Sequence, residues 1–161
     1  MTGEYDDRSP TTPTEKMTVK LIISATDGSE GAERAVVVAA ELAKSLNAQL
    51  LIVHVSEDGF SGDQLMQLDQ LRIAEGDALD EMSHRLLSKA KEIAQHRGAA
   101  RIRTISGGGD PAKVLIDIIA REHADAIVVG RRGRGQLQGL LLGSVSQKLS
   151  SLASCIVIVV P

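Results

Sequence analysis

Residues 128–149 read VVGRRGRGQLQGLLLGSVSQKL, and the fold turns on this stretch. An apolar run closes on Gly130. A loop carrying Arg131, Arg132 and Arg134 follows, and Gly143-Ser144 opens a segment with helical character. These parts suit an anion site. A glycine lets main chain come close to a ligand, and the unpaired N–H groups and positive dipole end of a helix attract negative charge. The dipole contributes about 0.3–1 kcal/mol, and about 2 when partly buried. Two familiar phosphate loops do not fit. No Gly-Lys-Ser/Thr is present, so this is not a P-loop. The glycine order in GRRGRG, so near the C-terminus, is not a dinucleotide fingerprint.

Working outward, apolar runs alternate with helical segments. VKLIISAT and AQLLIVHV are short and almost continuously apolar, as strands buried on both faces are. Between them DGSEGAERAVVVAAELAKSLN reads as a helix, with Asp27 or Ser29 as its cap and acidic residues in its first turn. The stretch from Glu57 to about Gln70 is ambiguous, a loop with a helical turn. A long helix is predicted from about Leu71 to Arg97, with Leu79, Met82, Leu86 and Ile93 on its buried face and Gly98 ending it. ARIRTI is a more polar, edge-type strand. SGGGDPAKVLIDIIAREH supplies a loop, Asp110 as N-cap, Pro111 at the first helical position and a buried face of Val114, Leu115, Ile118 and Ile119. DAIVVG is a fourth strand. Ser144 opens the last helix, and CIVIVV is a fifth, buried strand that Cys155 enters as a small apolar residue. The pattern predicts an α/β fold: an open five-stranded parallel sheet with helices on both faces. Ligands of such sheets bind beyond the strand carboxyl ends, where strand order reverses, so the loops to search begin at Asp27, Ser56, Gly107 and Gly130.

Composition narrows the function. The chain has 161 residues, enough for one domain with a real core, and is 43% hydrophobic. A net charge of −3 argues against broad nucleic-acid or anionic-membrane binding. Tyr5 and Phe60 are the only aromatics, which removes base-stacking platforms. A purine would have to lie against aliphatic side chains and main chain. Cys155 is the single cysteine, so an internal disulfide is excluded, and a cytoplasmic location is expected. No apolar run approaches the roughly 20 residues of a membrane span. Residues 1–16 are polar, with two of the four prolines, and read as a disordered tail rather than a signal peptide. Translation from Met17 is an alternative to Met1.

The spacing Gly130-x2-Gly133-x9-Gly143-Ser144 resembles the universal stress proteins, whose ATP-binding members carry Gly-x2-Gly-x9-Gly-Ser/Thr after the fourth strand. The likeness extends over residues 17–161. It takes in TDGSE after strand one, HV closing strand two, Gly109-Asp110-Pro111 before helix three and the CIVIVV ending. The resemblance implies a Rossmann-like, adenine nucleotide alpha hydrolase-like fold with strands one and four side by side. It implies roles as well. Asp27 faces the ribose and base side, with Ala25 and Thr26 preceding it along the pocket edge. The main chain of Val55 recognises adenine. Gly130 and Gly133 surround ribose and phosphate. Gly143, Ser144, Val145 and Ser146 form the phosphate-binding helix start. Two departures stand out. Arg131 and Arg132 occupy both places between the first glycines, where their charge either favours polyphosphate or points to solvent. ASCIV lacks the proline that many members carry after the cysteine.

Each residue also has a plainer reading. Ser144 and Gln147 have the spacing of a capping box. Asp27 can simply cap its helix, the arginines can be a solvated loop, and GGGD can be loop and cap. His54 reads as a packed core histidine, and His84, His96 and His123 lie scattered on helices without ligand spacing, so no metal site is assigned. No nucleophile–base pattern and no paired carboxylates stand out. The expectation is therefore an ATP-binding universal stress protein, with Mg²⁺ as a possible companion ion, acting as a nucleotide-dependent stress-response regulator with slow or absent hydrolysis. The alternatives are an interaction protein that binds no nucleotide and, behind it, an ATPase or nucleotide-dependent transferase. A homodimer is expected through the C-terminal strand, whose edge position follows from the family topology.

Overall fold

The computed structural model describes residues 18–57, 69–134 and 141–161. The predicted tail and most of the ambiguous stretch after Glu57 lie outside them. The elements run β1 (Leu21–Ala25), α1 (Glu30–Leu46), β2 (Gln49–Ser56), α2 (Asp69–His96), β3 (Ile102–Gly108), α3 (Pro111–Glu122), β4 (Ala126–Gly130), α4 (Ser144–Leu152) and β5 (Ile156–Val160). All pairings are parallel, in the order β3-β2-β1-β4-β5. The polar β3 is indeed an edge. Strand order reverses between β1 and β4, as the crevice rule requires.

The continuous apolar runs of β1, β2 and β4 follow from burial on both faces. Alternate side chains go to opposite sides of the sheet. Ile22, Leu50, Ile52 and Val128 meet α1 and α2, while Ile23, Leu51, Val53, Ile127 and Val129 meet α3 and α4. Burying one such aliphatic side chain contributes about 1.5–3 kcal/mol. On the first face α1 presents Ala35, Ala39, Ala40 and Ala43, small residues that bring the helix close to the sheet. On the second, α3 presents Leu115, Ile118 and Ile119, as its spacing predicts, with Val114 half-buried. The left-handed residues Asn47 and His123 close α1 and α3, so His123 lies just past its helix rather than on it.

Two expectations are corrected. The face that α2 buries carries Ser83, Leu87, Ala90 and Ala94, while Met82 is 50% exposed and Leu86 and Ile93 are half-buried. The side chain of Leu79 lies outside the described residues. Because α2 packs against the alanine-rich α1 as well as β2 and β3, its closest contacts fall on small residues that a search for large apolar ones passes over. The second correction concerns the burial of β5: it is the outer strand beside β4, as the family topology implies, but its first residue Ile156 is 41% exposed and only Val160 is buried. Cys155 is half-buried at the entry to this edge strand, with burial and the nearby Asp125 charge both raising its thiol pKa.

Candidate functional site

From the reversal point β1 leads into α1 and β4 into α4, on opposite faces of the sheet. The two chains part beyond the strand ends and leave a cavity of about 450 Å³. Ala25, Thr26 and Asp27 line it from β1, Val55 from β2, and Gly130, Arg131, Gly133, Gly143, Ser144, Val145 and Ser146 from the loop after β4 and the start of α4. The eleven residues singled out in the sequence thus come together on one wall system. Met82 and Ser83 of α2 close another side; Met82 read in the sequence as a core residue of its helix, and Ser83 carried no signal. Leu115 and Val129 also line it, and read in the sequence as core. Pro111 lines it too, but Gly107, Gly108 and Gly109 do not; Gly107 and Gly108 belong to β3, which runs past the predicted ARIRTI, so only Gly109 is loop and Asp110 the cap.

The β1 side is held by hydrogen bonds to Asp27. Its Oδ1 accepts from Ser29 N at 2.9 Å and its Oδ2 from Arg134 N at 2.9 Å. Burial pushes the Asp27 pKa up, but the hydrogen bonds from Ser29 and Arg134 outweigh it and hold the carboxyl below its ordinary value of 3.8. The helix cap is Ser29, whose Oγ accepts from Ala32 N, so Asp27 fastens the loop rather than capping α1. Gly133 lies directly on this carboxylate: a Cβ there would collide with Asp27 Oδ2. Gly28 takes φ +79°, a conformation that suits glycine, in the turn between Asp27 and Ser29.

Gly130 has a different reason for being glycine from the one its position suggested. A Cβ on it would stand 2.7 Å from the carbonyl carbon of Gly31 and 3.0 Å from Ala32 N. The close approach is to the first turn of α1, where the two glycines allow main chain to pack on main chain.

On the β2 side the last bond to β1 runs from Thr26 N to Val53 O at 2.9 Å. β2 continues to Ser56 while β1 stops at Ala25. In a parallel ladder every second residue turns its N–H and C=O to the same neighbour, so the main chain of Val55 faces the crevice where β1 has ended. His54 is 7% exposed, and its Nδ1 lies 2.8 Å from Thr26 O. It is a packed histidine, as expected, and also part of the cavity wall.

The fourth wall is the start of α4. Its N-cap is Gly143, at φ −73° and ψ 164°, and no side chain caps it. The predicted capping box does not form. Ser144 already occupies the first helical turn, and Gln147 contributes its main-chain N–H, which donates to Gly143 O. Ser144, Val145 and Ser146 therefore hold the N–H groups that a helix leaves without internal acceptors. The first turn has no acidic residue. Loop and helix are tied by main chain. Gly143 N and Ser146 Oγ donate to Arg131 O at 2.8 and 2.9 Å, and Arg131 N donates to Val160 O at 2.7 Å. The buried hydroxyl of Ser146 thus works as a fastener. The side chains of Arg131, Arg132 and Arg134 lie exposed around the mouth. Among the described residues no three His, Cys, Asp or Glu side chains stand together as metal ligands, and no helix is long and apolar enough to cross a membrane.

Residues 18–161 match the model of the universal stress protein family. The chain belongs to that family. A universal stress protein of Thermus aquaticus is 34% identical over 143 residues, covering 88% of this chain and 98% of that protein. The universal stress protein YxiE of Bacillus subtilis is 31% identical over 150 residues, covering 88% of this chain and 97% of the relative. The solved structure of a universal stress protein in complex with cAMP superposes with a TM-score of 0.67 at 26% identity, covering 89% of this chain and 97% of that one.

Proposed function

We propose that this universal stress protein binds an adenine nucleotide, ATP in the first instance, in the crevice between β1 and β4, and that nucleotide occupancy regulates its part in a stress response. The observation that carries the reading is the start of α4. It is uncapped, free of acidic residues and open to a cavity with arginines at its mouth. Phosphate oxygens accept from the N–H groups of Ser144, Val145 and Ser146, in the favourable field of the helix dipole. Val55 offers main-chain N–H and C=O to the base, and Asp27 lies on the ribose side. A related protein that binds cAMP supports an adenine ligand. Mg²⁺, where present, is held mainly by the phosphates and water, as this ion commonly is.

Hydrolysis is slow or absent. The one carboxylate of the β1 wall, Asp27, has both oxygens engaged by main-chain N–H groups, and a carboxyl held below its usual pKa is a weak base. Residues 17–161 form the nucleotide-binding domain. Pairing of β5 with its copy would satisfy its outer edge and cover Ile156. Calorimetry of nucleotide-free protein with ATP tests the reading. Saturable one-site binding, with turnover below about 1 s⁻¹, is expected. Absence of binding would leave an interaction protein, and faster turnover would make it an enzyme.

A further inference from the structure

The 131–134 segment, one wall of the proposed nucleotide crevice, is also a wall of a second cavity of about 790 Å³. The two cavities share nothing else. The second takes its remaining walls from the turn into α1, residues 28–31, from Arg34 and from Pro161. Arg34, Arg131, Arg132 and Arg134 all line it. Two of these converge on the turn. Arg134 Nη2 lies 3.2 Å from the place a Cβ on Gly28 would take, and Arg34 Nη2 lies 3.8 Å from the corresponding place on Gly31. Arg34 is also tethered, its Nε donating to Pro161 O at 2.7 Å. Glu30 is the one acidic side chain among the lining residues. It pairs with Arg34 at 3.8 Å and its side chain is 96% exposed. Arginines therefore dominate the cavity, in a chain whose net charge is −3.

Elsewhere the protein answers its arginines itself. Arg85, Arg97 and Arg103 meet Glu81, Glu41 and Glu122, and Arg101 meets the Asn47 carbonyl. The guanidinium groups of Arg131 and Arg134 have no such partner among the described residues. Asp27 accepts from the main chain of Arg134, not from its side chain. A guanidinium offers five N–H donors in a planar fork that matches phosphate oxygens. Apart from Pro161 the lining has no apolar side chain, so a base or an acyl chain would find nothing to bury against. Ser29 already caps α1, which leaves the arginines, rather than the helix start, to hold a ligand. We propose that this cavity is a second anion site, separate from the nucleotide crevice, for a small ligand of the polyphosphate class. Its pyrophosphate group lies between Arg34 and Arg134, and Arg131 and Arg132 add charge.

The test uses the full chain and inorganic pyrophosphate, read by amide NMR, in wild type and in Arg34→Gln. Arg34 is exposed and lines the second cavity but not the crevice, so the variant should fold as wild type does. In wild type the amides of Gly28, Gly31 and Arg34 should shift saturably. Arg34→Gln should raise the midpoint about tenfold, the loss of one charged hydrogen-bonding group. Its ATP affinity by calorimetry should match wild type. Shifts confined to Ser144, Val145 and Ser146, no saturable shift, or an unchanged midpoint in Arg34→Gln would overturn the second site and leave the nucleotide reading standing. An equal loss of ATP affinity in Arg34→Gln would also overturn it, by merging the two cavities into one site. Failure of ATP to bind, with the Gly28 and Gly31 shifts intact, would overturn the nucleotide reading alone.

Discussion

Helices α1 and α4 begin at the same crevice, yet their N-termini serve opposite ends. Both N-cap residues have nearly the same backbone, φ −73° and ψ 158° at Ser29 and φ −73° and ψ 164° at Gly143. At α1 the Ser29 hydroxyl accepts from Ala32 N, and Glu30 and Glu33 sit in the first turn. At α4 no side chain caps and no acidic residue neighbours. The protein fills one helix start itself and leaves the other uncapped, which is where the proposed function puts the phosphates. A third start, at α3, repeats the filled case: Asp110 caps it, its carboxyl held below the ordinary value by Lys113 N–H and by Lys148. On the proposed reading, a helix start becomes an anion site by what is withheld from it.

The largest expected effect breaks the packing that both starts share. Gly130→Val drives a branched side chain into the main chain of Gly31 and Ala32 and should destabilise by about 3 kcal/mol or more, read as the free energy of denaturant unfolding. Unchanged stability would mean that α1 shifts freely and that Gly130 answers to the ligand instead. Asp27→Asn comes next. One amide face can only donate, and it meets the N–H of Ser29 or Arg134. A loss of about 1–2 kcal/mol at neutral pH is expected, together with weaker ATP binding as the Arg134 segment loosens.

The same carboxylate sets a pH dependence. Its folded pKa is depressed, so its stabilisation is present above the unfolded value, near 3.8, and is lost as pH falls through the lower folded value. Chemical denaturation between pH 5 and 2.5 should show Asp27→Asn flattening the wild-type slope. A parallel slope would count against the Asp27 bonds. The smallest effect lies away from the crevice. Ser24 Oγ on β1 is enclosed without a partner, and Ser24 does not line the cavity. Ser24→Ala should therefore stabilise by about 1 kcal/mol and leave nucleotide affinity unchanged. A loss of affinity would extend the site into the sheet.

Much of this was legible in the sequence. β1, β2 and β4 announced themselves as doubly buried strands, and Asp110-Pro111 marked the start of α3. The Gly130-x2-Gly133-x9-Gly143-Ser144 spacing located the crevice. Local patterns failed where a neighbour distant in sequence decides. Gly130 is glycine because of Gly31, Gly133 because of Asp27. The capping box at Ser144 was spaced correctly but displaced by one residue, since Gly143 itself takes the extended cap conformation. Ser83 carried no signal, because a serine on an amphipathic helix looks the same whether it faces a cavity or solvent. The buried face of α2 is not legible because, beside Leu87, it consists of the small residues Ser83, Ala90 and Ala94, which fit against an alanine-rich helix.

The most direct test of the account is to give α4 the cap it lacks. Gly143→Asp places a carboxylate where Asp110 stands on α3, on a backbone that accepts any residue, though its Cβ comes within 3.3 Å of Arg131 O. ATP affinity by calorimetry, with thermal unfolding alongside, is the measurement. The account predicts a folded protein, changed in stability by no more than about 1 kcal/mol, that has lost ATP binding by a hundredfold or more (about 2.7 kcal/mol). A folded Gly143→Asp protein that binds ATP as wild type does would contradict it.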